Sequence, residues 1–370
     1  MTVILIEFII VLTGMAVTAI LFHRLPVLPD AINDTSKPPS VSVIIPARNE
    51  ESNLPLLLKD LGEQILSVDE IICVDDASED ATAQVALAHG AKLIRLNTKP
   101  EGWTGKSWAC RNGADAAQGE LLLFLDADVR LEKDGIQTLM QAYFEAGCTV
   151  SVHPYHRTEK LYEQFSMIFN LIQIAANGTA LPRPLNIGLY GPVILIARPD
   201  YEKAGGHESV RNSVVEDMAL GAQLRKSGVP FRLFVGNPAV SFRMYGNGLR
   251  ALLQGWTKNI ASGAARTPIP LFAMVFLWIA SLLSVPIQMV KFSVSENWPW
   301  LIVYSGIYLV WVLVLVLLSK RIGRFKHRTI FFYPVLMLVM SGVFVVSAVK
   351  KLLGLKVKWK GRDITTGEKK

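Results

Sequence analysis

The chain has 370 residues, of which 51% are hydrophobic, and a formal net charge of +7. That apolar share is too high for an ordinary soluble enzyme, yet the middle of the chain is charged and punctuated by Gly and Pro, so a soluble domain attached to membrane spans is expected. The three cysteines, Cys73, Cys110 and Cys148, lie far apart with no CxxC spacing; this argues against a metal cage or disulfide framework and fits a reducing cytosol.

In chain order, Met1 to Phe22 is interrupted only by Glu7 and lacks the basic n-region of a cleavable signal, so residues 1–22 read as a spanning anchor. Residues 23–40, Pro-rich from Pro26 to Pro39, read as a linker. From Val41 short β-rich runs alternate with helical patterns, the signature of an α/β domain with a mostly parallel sheet, expected over 41–265. Val41-Ser42-Val43-Ile44-Ile45 is the first predicted strand, stopped by Pro46. Glu70 to Val74, Lys92 to Leu96 and Glu120 to Leu125 follow as further strands, with helices between them.

Ligands of such sheets bind at the carboxyl ends of strands. Arg48-Asn49-Glu50, Asp75-Asp76 and Asp126-Ala127-Asp128 each stand directly after a strand, so one rim carries all of them. Asp126 and Asp128 are suited to a hard divalent cation, since Mg²⁺ takes one or two carboxylates beside substrate phosphates. A lone Asp-X-Asp is weak as a motif, because acidic turns after buried strands are common. Asp80 has the place of a helix cap as well as of a ligand. Lys106 follows Gly102-Trp103-Thr104-Gly105 at a helix start, where ammonium and helix N-terminus would converge on an anion; no Walker loop is present, and a surface lysine is the plainer reading. Glu216 and Asp217 head a helical pattern and serve equally as helix-dipole partners or as a general base. Gln254-Gly255-Trp256-Thr257-Lys258 offers a stacking face and a cation near the bilayer, although helix packing alone would account for Trp256. The apolar residues from Leu161 to Ile174 suit an interfacial helix and core packing equally well.

Leu271 to Val290, Trp300 to Ser319 and Ile330 to Val349 are each of bilayer length, giving a membrane region over 271–349 and a basic tail over 350–370. Most of the basic excess lies beside these runs, which marks a cytoplasmic face and not a nucleic-acid site; no nucleic-acid recognition motif appears. Three crossings would put the tail outside, against the positive-inside rule. Two crossings, with Ile330 to Val349 re-entrant or lying within the bilayer on the cytoplasmic side, helped by Pro334 and Gly342, keep both basic clusters inside.

Taken together, Val41 to Glu51, Val74-Asp75-Asp76-Ala77-Ser78 and Asp126-Ala127-Asp128 resemble glycosyltransferase family 2 in order and spacing. The acceptor half is similar to bacterial members of that family that glycosylate carotenoid acids. The residues that carry this are Val152-His153-Pro154-Tyr155-His156, Phe165 to Leu171, Gly191-Pro192-Val193, Gly205-Gly206-His207, Phe242 to Tyr245, Gly255 to Lys258 and Trp359 to Arg362. The resemblance implies a GT-A type, Rossmann-like nucleotide-diphospho-sugar transferase domain, with a nucleotide-binding half over 41–130 and an acceptor half over 131–265, between N- and C-terminal transmembrane helices. It implies an inverting, multi-pass enzyme of the cell membrane, facing the cytoplasm, that moves a hexose, glucose for choice, from a UDP-sugar to a membrane lipid, the carboxylate of a carotenoid acid.

By the same resemblance Pro46, Ala47, Arg48, Glu50 and Asp76 would hold uracil and ribose, and Lys106 would approach the diphosphate. Asp126 and Asp128 would bind Mg²⁺ or Mn²⁺, and Asp217 would be the base, with Glu216 beside it. His207, Gln254, Trp256 and Lys258 would face the acceptor. The Gln-X-X-Arg-Trp motif of processive members is replaced here by Gln254 to Lys258, which speaks against polymer synthesis. Rival readings are transfer to a polyprenyl phosphate, hopanoid or diacylglycerol, or nucleotide-sugar binding without turnover.

Overall fold

A computed structural model describes residues 2–31, 39–359 and 362–365. Part of the expected linker, the Lys360-Gly361 pair of the Trp359–Arg362 motif and the end of the basic tail therefore lie outside the described residues. The chain divides into two compact units, one formed by Pro26–His156, Asn186–Met244 and Leu352–Lys370, the other by Met1–Leu25, Arg157–Leu185 and Tyr245–Lys351.

The first unit is built on a sheet of seven strands. Its first four strands are β1 (Val41–Ala47), β2 (Glu70–Asp75), β3 (Lys92–Arg95) and β4 (Leu121–Leu125). After β5 (Val129–Leu131) come β6 (Thr149–His153), β7 (Tyr155–Arg157), β8 (Val193–Ala197), β9 (Phe231–Val235) and β10 (Val240–Phe242). The spatial order is β3-β2-β1-β4-β8-β6-β9, parallel throughout except for β8, which runs antiparallel to both neighbours. The chain turns back between β1 and β4, so their carboxyl ends form the switch point where open α/β sheets bind ligands. Beside it, β10 pairs antiparallel with β5 and parallel with β7.

The continuous apolar runs are explained by burial on both faces of the sheet. Val43, Ile45, Leu121, Leu123, Val150, Val152, Val193 and Leu195 share one core with Leu57 and Leu139. Pro46 does not end β1, which continues to Ala47 with Pro46 opposite Val74. The β4 ladder stops earlier, at Ile44 opposite Phe124. Beyond that point β1 is bordered by β2 alone, so the missing N–H of Pro46 breaks no ladder bond.

The second unit is helical. Four of its helices are long and apolar enough to cross a membrane: Ile4–Leu21, Ile269–Val294, Trp298–Ile322 and Tyr333–Leu352. Trp278, Trp311, Tyr304 and Tyr333 are buried among them, while Phe276, Leu309 and Leu338 are exposed. Tyr333–Leu352 is one continuous helix: Pro334 lies in its first turn, where a proline is tolerated, and Gly342 does not interrupt it. Within Ser166–Asn177 the side chains of Ile168, Phe169, Leu171 and Ile174 are buried. The alternative of an interfacial helix over these residues is thereby replaced by packing; only Leu161, ahead of the helix, is strongly exposed.

Candidate active site

The loops after β1 and β2 are bound to each other. Arg48 Nη1 donates to the carbonyls of Asp76 at 2.7 Å and Ala77 at 2.6 Å, and Arg48 Nη2 is 3.3 Å from Glu79. Asn49 N donates to Ser78 Oγ, Glu50 N to Thr82 Oγ1, and Glu79 N to Asn49 Oδ1. Asp75 Oδ1 accepts from Ser78 N, and Asp80 Oδ1 accepts from Thr82 N in a turn ahead of the Thr82–Ala88 helix, whose N-cap is Ala81 without a side-chain cap, so Asp80 does not take the capping role open to it in the sequence. Arg48 is thus one of several ties between the two loops. Glu50 and Asp76 are both buried beside it.

Across the switch point, Gly105–Ala116 and Glu216–Lys226 each bring a first turn to the end of β4. Pro46, Lys106, Cys110, Asp126, Gly191, His207, Glu216 and Asp217 line one pocket together with Phe124, Leu125 and Ile194. Lys106 Nζ lies 2.6 Å from Asp126 Oδ1 and 3.3 Å from Glu216 Oε1, with the side chains 32%, 29% and 10% exposed respectively. Burial opposes the charge on Lys106, but Asp126 and Glu216 outweigh it, and the ammonium is held well above its ordinary value. Burial and the charge of Glu216 push Asp217 up to about 6, against the pull of Lys106. Burial and Lys106 bring His207 down to about 3, so it is neutral; burial also drives the Cys110 thiol up. The pocket therefore combines one ammonium, three carboxyl groups and a neutral imidazole.

The remaining predicted residues lie elsewhere. Asp128 is half-buried and outside the pocket lining, and its carbonyl accepts from Arg243 N at 3.3 Å. Gln254, Trp256 and Lys258 belong to the Leu249–Ala264 helix of the other unit. Trp256 is fully buried there and stacks on Phe169 with ring centroids 4.4 Å apart. Its indole N–H has no hydrogen-bond partner among the described residues. Packing, one of its two sequence readings, accounts for its position. His207, grouped with these residues in the sequence, instead shares a pocket with Lys106 and Asp126.

Residues 42–200 match the description "Glycosyl transferase family 2". The 4,4'-diaponeurosporenoate glycosyltransferase of Staphylococcus aureus (strain USA300) is 34% identical over 367 residues, covering 96% of each chain. The chain belongs to glycosyltransferase family 2. Among solved structures, the mannosyltransferase PcManGT from Pyrobaculum calidifontis, in complex with GDP-Man and Mn²⁺, is 16% identical with a TM-score of 0.54, covering 93% of this chain and 99% of that one. That likeness is one of fold, and it establishes the GT-A type sheet for this glycosyltransferase.

The residues of this family 2 enzyme allow a simple test for a divalent cation. No group of three or more His, Cys, Asp and Glu side chains that could hold a metal occurs among the described residues. A cation would need substrate phosphates to complete its shell, the usual arrangement for Mg²⁺. Asp126, a part-exposed hard oxygen donor at the mouth of the switch point, fits that demand. Sequence reading missed Tyr201, Phe124 and Cys110. Tyr201 had the best available signal, a tyrosine shortly before the Gly205-Gly206 pair and His207.

Proposed function

We propose that this glycosyltransferase transfers glucose from UDP-glucose, with inversion, to the carboxylate of a carotenoid acid held in the cell membrane, forming a glucosyl ester. The observation that carries the acceptor is the near full-length similarity to a diaponeurosporenoate glycosyltransferase. The donor reading is supported by a pocket at the β1/β4 switch point that holds a lysine among carboxylates.

In this reading Pro46, Ala47, Glu50 and Asp76 receive uracil and ribose, with Arg48 fixing the two loops that present them. Asp126 with Asp128 would hold Mg²⁺ or Mn²⁺, which when bound neutralises charge on the diphosphate. Lys106 has Asp126 and Glu216 as its resting partners and supplies a cation to the oxygens of the departing UDP. The acceptor oxygen approaches the anomeric carbon on the face opposite UDP; the new C–O bond forms as the bond to the β-phosphate oxygen breaks, and UDP leaves with that electron pair. A carboxylic acid with a pKa of about 4 arrives ionised and needs no base, whereas a hydroxyl acceptor would pass its proton to Asp217. By the family resemblance Gln254 and Lys258 belong to the acceptor side, whereas Trp256 is taken up by packing on Phe169.

The catalytic unit faces the cytoplasm in this proposal, because Lys320 and Arg321 end one apolar helix, Arg324, Lys326 and Arg328 follow it, and Lys350 and Lys351 end the next. Tyr333–Leu352 then stays on the cytoplasmic side of the bilayer. A reporter fused after Lys370 that reads extracellular would overturn that orientation.

Purified full-length enzyme supplied with radiolabelled UDP-glucose and vesicles containing a carotenoid acid, diacylglycerol, a hopanoid or a polyprenyl phosphate tests the activity. An alkali-labile labelled carotenoid is the expected product. Label on another lipid would replace the acceptor, and absence of UDP release with all of them would refute turnover.

A further inference from the structure

The turn Gly205-Gly206 has left-handed backbone at both residues, with φ of 76° and 50°. A Cβ on Gly206 would stand 2.6 Å from the Tyr201 ring and 2.9 Å from its hydroxyl oxygen, so only glycine fits. The turn folds His207 back over Tyr201. Their contact is double: the His207 backbone N–H donates to Tyr201 Oη at 3.0 Å, and the imidazole Nδ1 lies 3.0 Å from the same oxygen. Phe124, from β4, closes the other side with ring centroids 5.0 Å from His207. Tyr201 and His207 are 3% and 2% exposed.

This arrangement assigns the tautomer. Tyr201 Oη already accepts the backbone N–H, and its own proton needs an acceptor in a buried place; Nδ1 is the one within reach. If Nδ1 carried the proton instead, the tyrosine O–H would be stranded, at a cost of about 1–3 kcal/mol for a buried unsatisfied polar group. Nδ1 is therefore the acceptor, and the neutral ring carries its proton on Nε2. In that state Nε2 has no lone pair for a metal or for a substrate proton. It can only donate.

His207 supplies the single uncharged side-chain N–H in the lining of the pocket that also holds Lys106, Asp126, Glu216 and Asp217. Charged oxygens are served there by the ammonium, whose bonds to anions are about twice as strong as neutral ones. A neutral donor beside carboxylate acceptors matches a hydroxyl, which accepts from the imidazole and donates to a carboxylate at once.

We propose that His207 reads the transferred sugar: its Nε2–H donates to one hydroxyl oxygen of the donor hexose, and Tyr201 is the positioning residue that fixes the tautomer. This rests on the UDP-hexose reading above, and it moves His207 from the acceptor side to the donor side.

Full-length enzyme in lipid nanodiscs, titrated calorimetrically with UDP-glucose and its 2-, 3-, 4- and 6-deoxy analogues, tests the assignment without an acceptor. The wild type should bind one deoxy analogue about tenfold more weakly than UDP-glucose, the loss of one hydrogen bond. His207→Phe should lose about tenfold for UDP-glucose and no longer distinguish that analogue from it. His207→Gln, which still offers an N–H, should restore the discrimination. Tyr201→Phe keeps the ring packing but frees the tautomer, so it should lose part of the discrimination while remaining folded.

Uniform weakening of every donor in His207→Phe overturns the proposal, as does unchanged UDP-glucose affinity or a wild type that treats all analogues alike. A wild type that binds no UDP-hexose refutes the donor reading itself, a result distinct from binding with a flat His207 pattern.

Discussion

Lys106 Nζ stands 2.6 Å from Asp126 Oδ1, linking the first turn of a helix to the turn after β4. The same ammonium reaches Glu216 at 3.3 Å, so one lysine supplies the positive charge to a pocket lined by three carboxyl groups. Lys106→Met keeps the aliphatic stem and removes that charge. Turnover, read as UDP release, should fall by about 10²–10³, as on loss of a preorganised electrostatic donor, with Lys106→Arg in between. Activity within a few-fold of wild type would take Lys106 out of the donor chemistry.

Gly191 permits the approach of two of these groups. A Cβ built there would stand 2.8 Å from Asp217 Oδ2 and 3.3 Å from Lys106 Nζ, both at the ends of movable side chains. Gly191→Ala should therefore fold normally, with thermal stability close to wild type, and displace the charges within the pocket. A shift of about 1 Å at a reacting centre can cost about 10²-fold, so a marked drop in kcat at unchanged Tm is expected. A large Tm loss would show instead that the backbone near β8 cannot accept the methyl group.

The donor half was legible in the sequence because its signals are local. β1 and β4 are unbroken apolar runs, and Asp75-Asp76 and Asp126-Ala127-Asp128 follow their strands directly. The end of β1 was misread at Pro46, since only the tertiary pairing reveals that β4 has already left the ladder there. β8 was missed as a strand: five residues running antiparallel in an otherwise parallel sheet leave no trace in the alternation of strands and helices. Lys106 taken alone resembled a surface lysine. Its partners Asp126 and Glu216 come from distant segments, and no spacing rule relates them. Likewise Tyr201 and His207 are close in sequence, but the shared hydroxyl that ties them depends on two left-handed glycines.

In the helical unit, Gly14 faces Ser281 where the first helix meets Ile269–Val294. A Cβ on Gly14 would lie 2.2 Å from Ser281 Cβ, and Ser281 Oγ donates to the Val11 carbonyl at 3.1 Å. Small residues let membrane helices approach in this way. Gly14→Val should force the pair apart and destabilise the detergent-solubilised protein by about 1–3 kcal/mol, the usual cost of overpacking. Unfolding monitored by tryptophan fluorescence would detect this, since Trp278 lies one turn from Ser281. An unchanged midpoint would mean that the two helices have room to separate without cost.

Stability should also depend on Asp217. Its carboxyl is pushed up to about 6 by burial and by Glu216, from an ordinary value of 3.8. The folded chain thus holds a proton that the unfolded chain has released, and stability falls as pH rises through the interval between those values. The favourable contribution is complete below the unfolded pKa and is lost above the folded one. Asp217→Asn keeps an oxygen for the bond from Met218 N, 2.8 Å in the wild type, and cannot ionise. Its Tm relative to wild type should therefore rise between about pH 4 and 6 and level off above, as measured across a pH series. A constant difference would place Asp217 at an ordinary carboxylate value.

The same variant separates the acceptor classes. A carotenoid acid is ionised at neutral pH because a carboxylic acid titrates near about 4, so no proton has to be removed as it attacks. With that acceptor, Asp217→Asn should lose less than about tenfold in kcat, whereas a general base that is needed contributes about 10²–10⁴. Asp128→Ala acts on diphosphate charge, which every acceptor requires neutralised, and should lose about 10² or more. Assays of both variants on a carotenoid acid, with folding checked by circular dichroism, give the ratio. A comparable collapse of both would mean that the acceptor arrives protonated, or that the Asp217 charge is needed to order the pocket around Lys106.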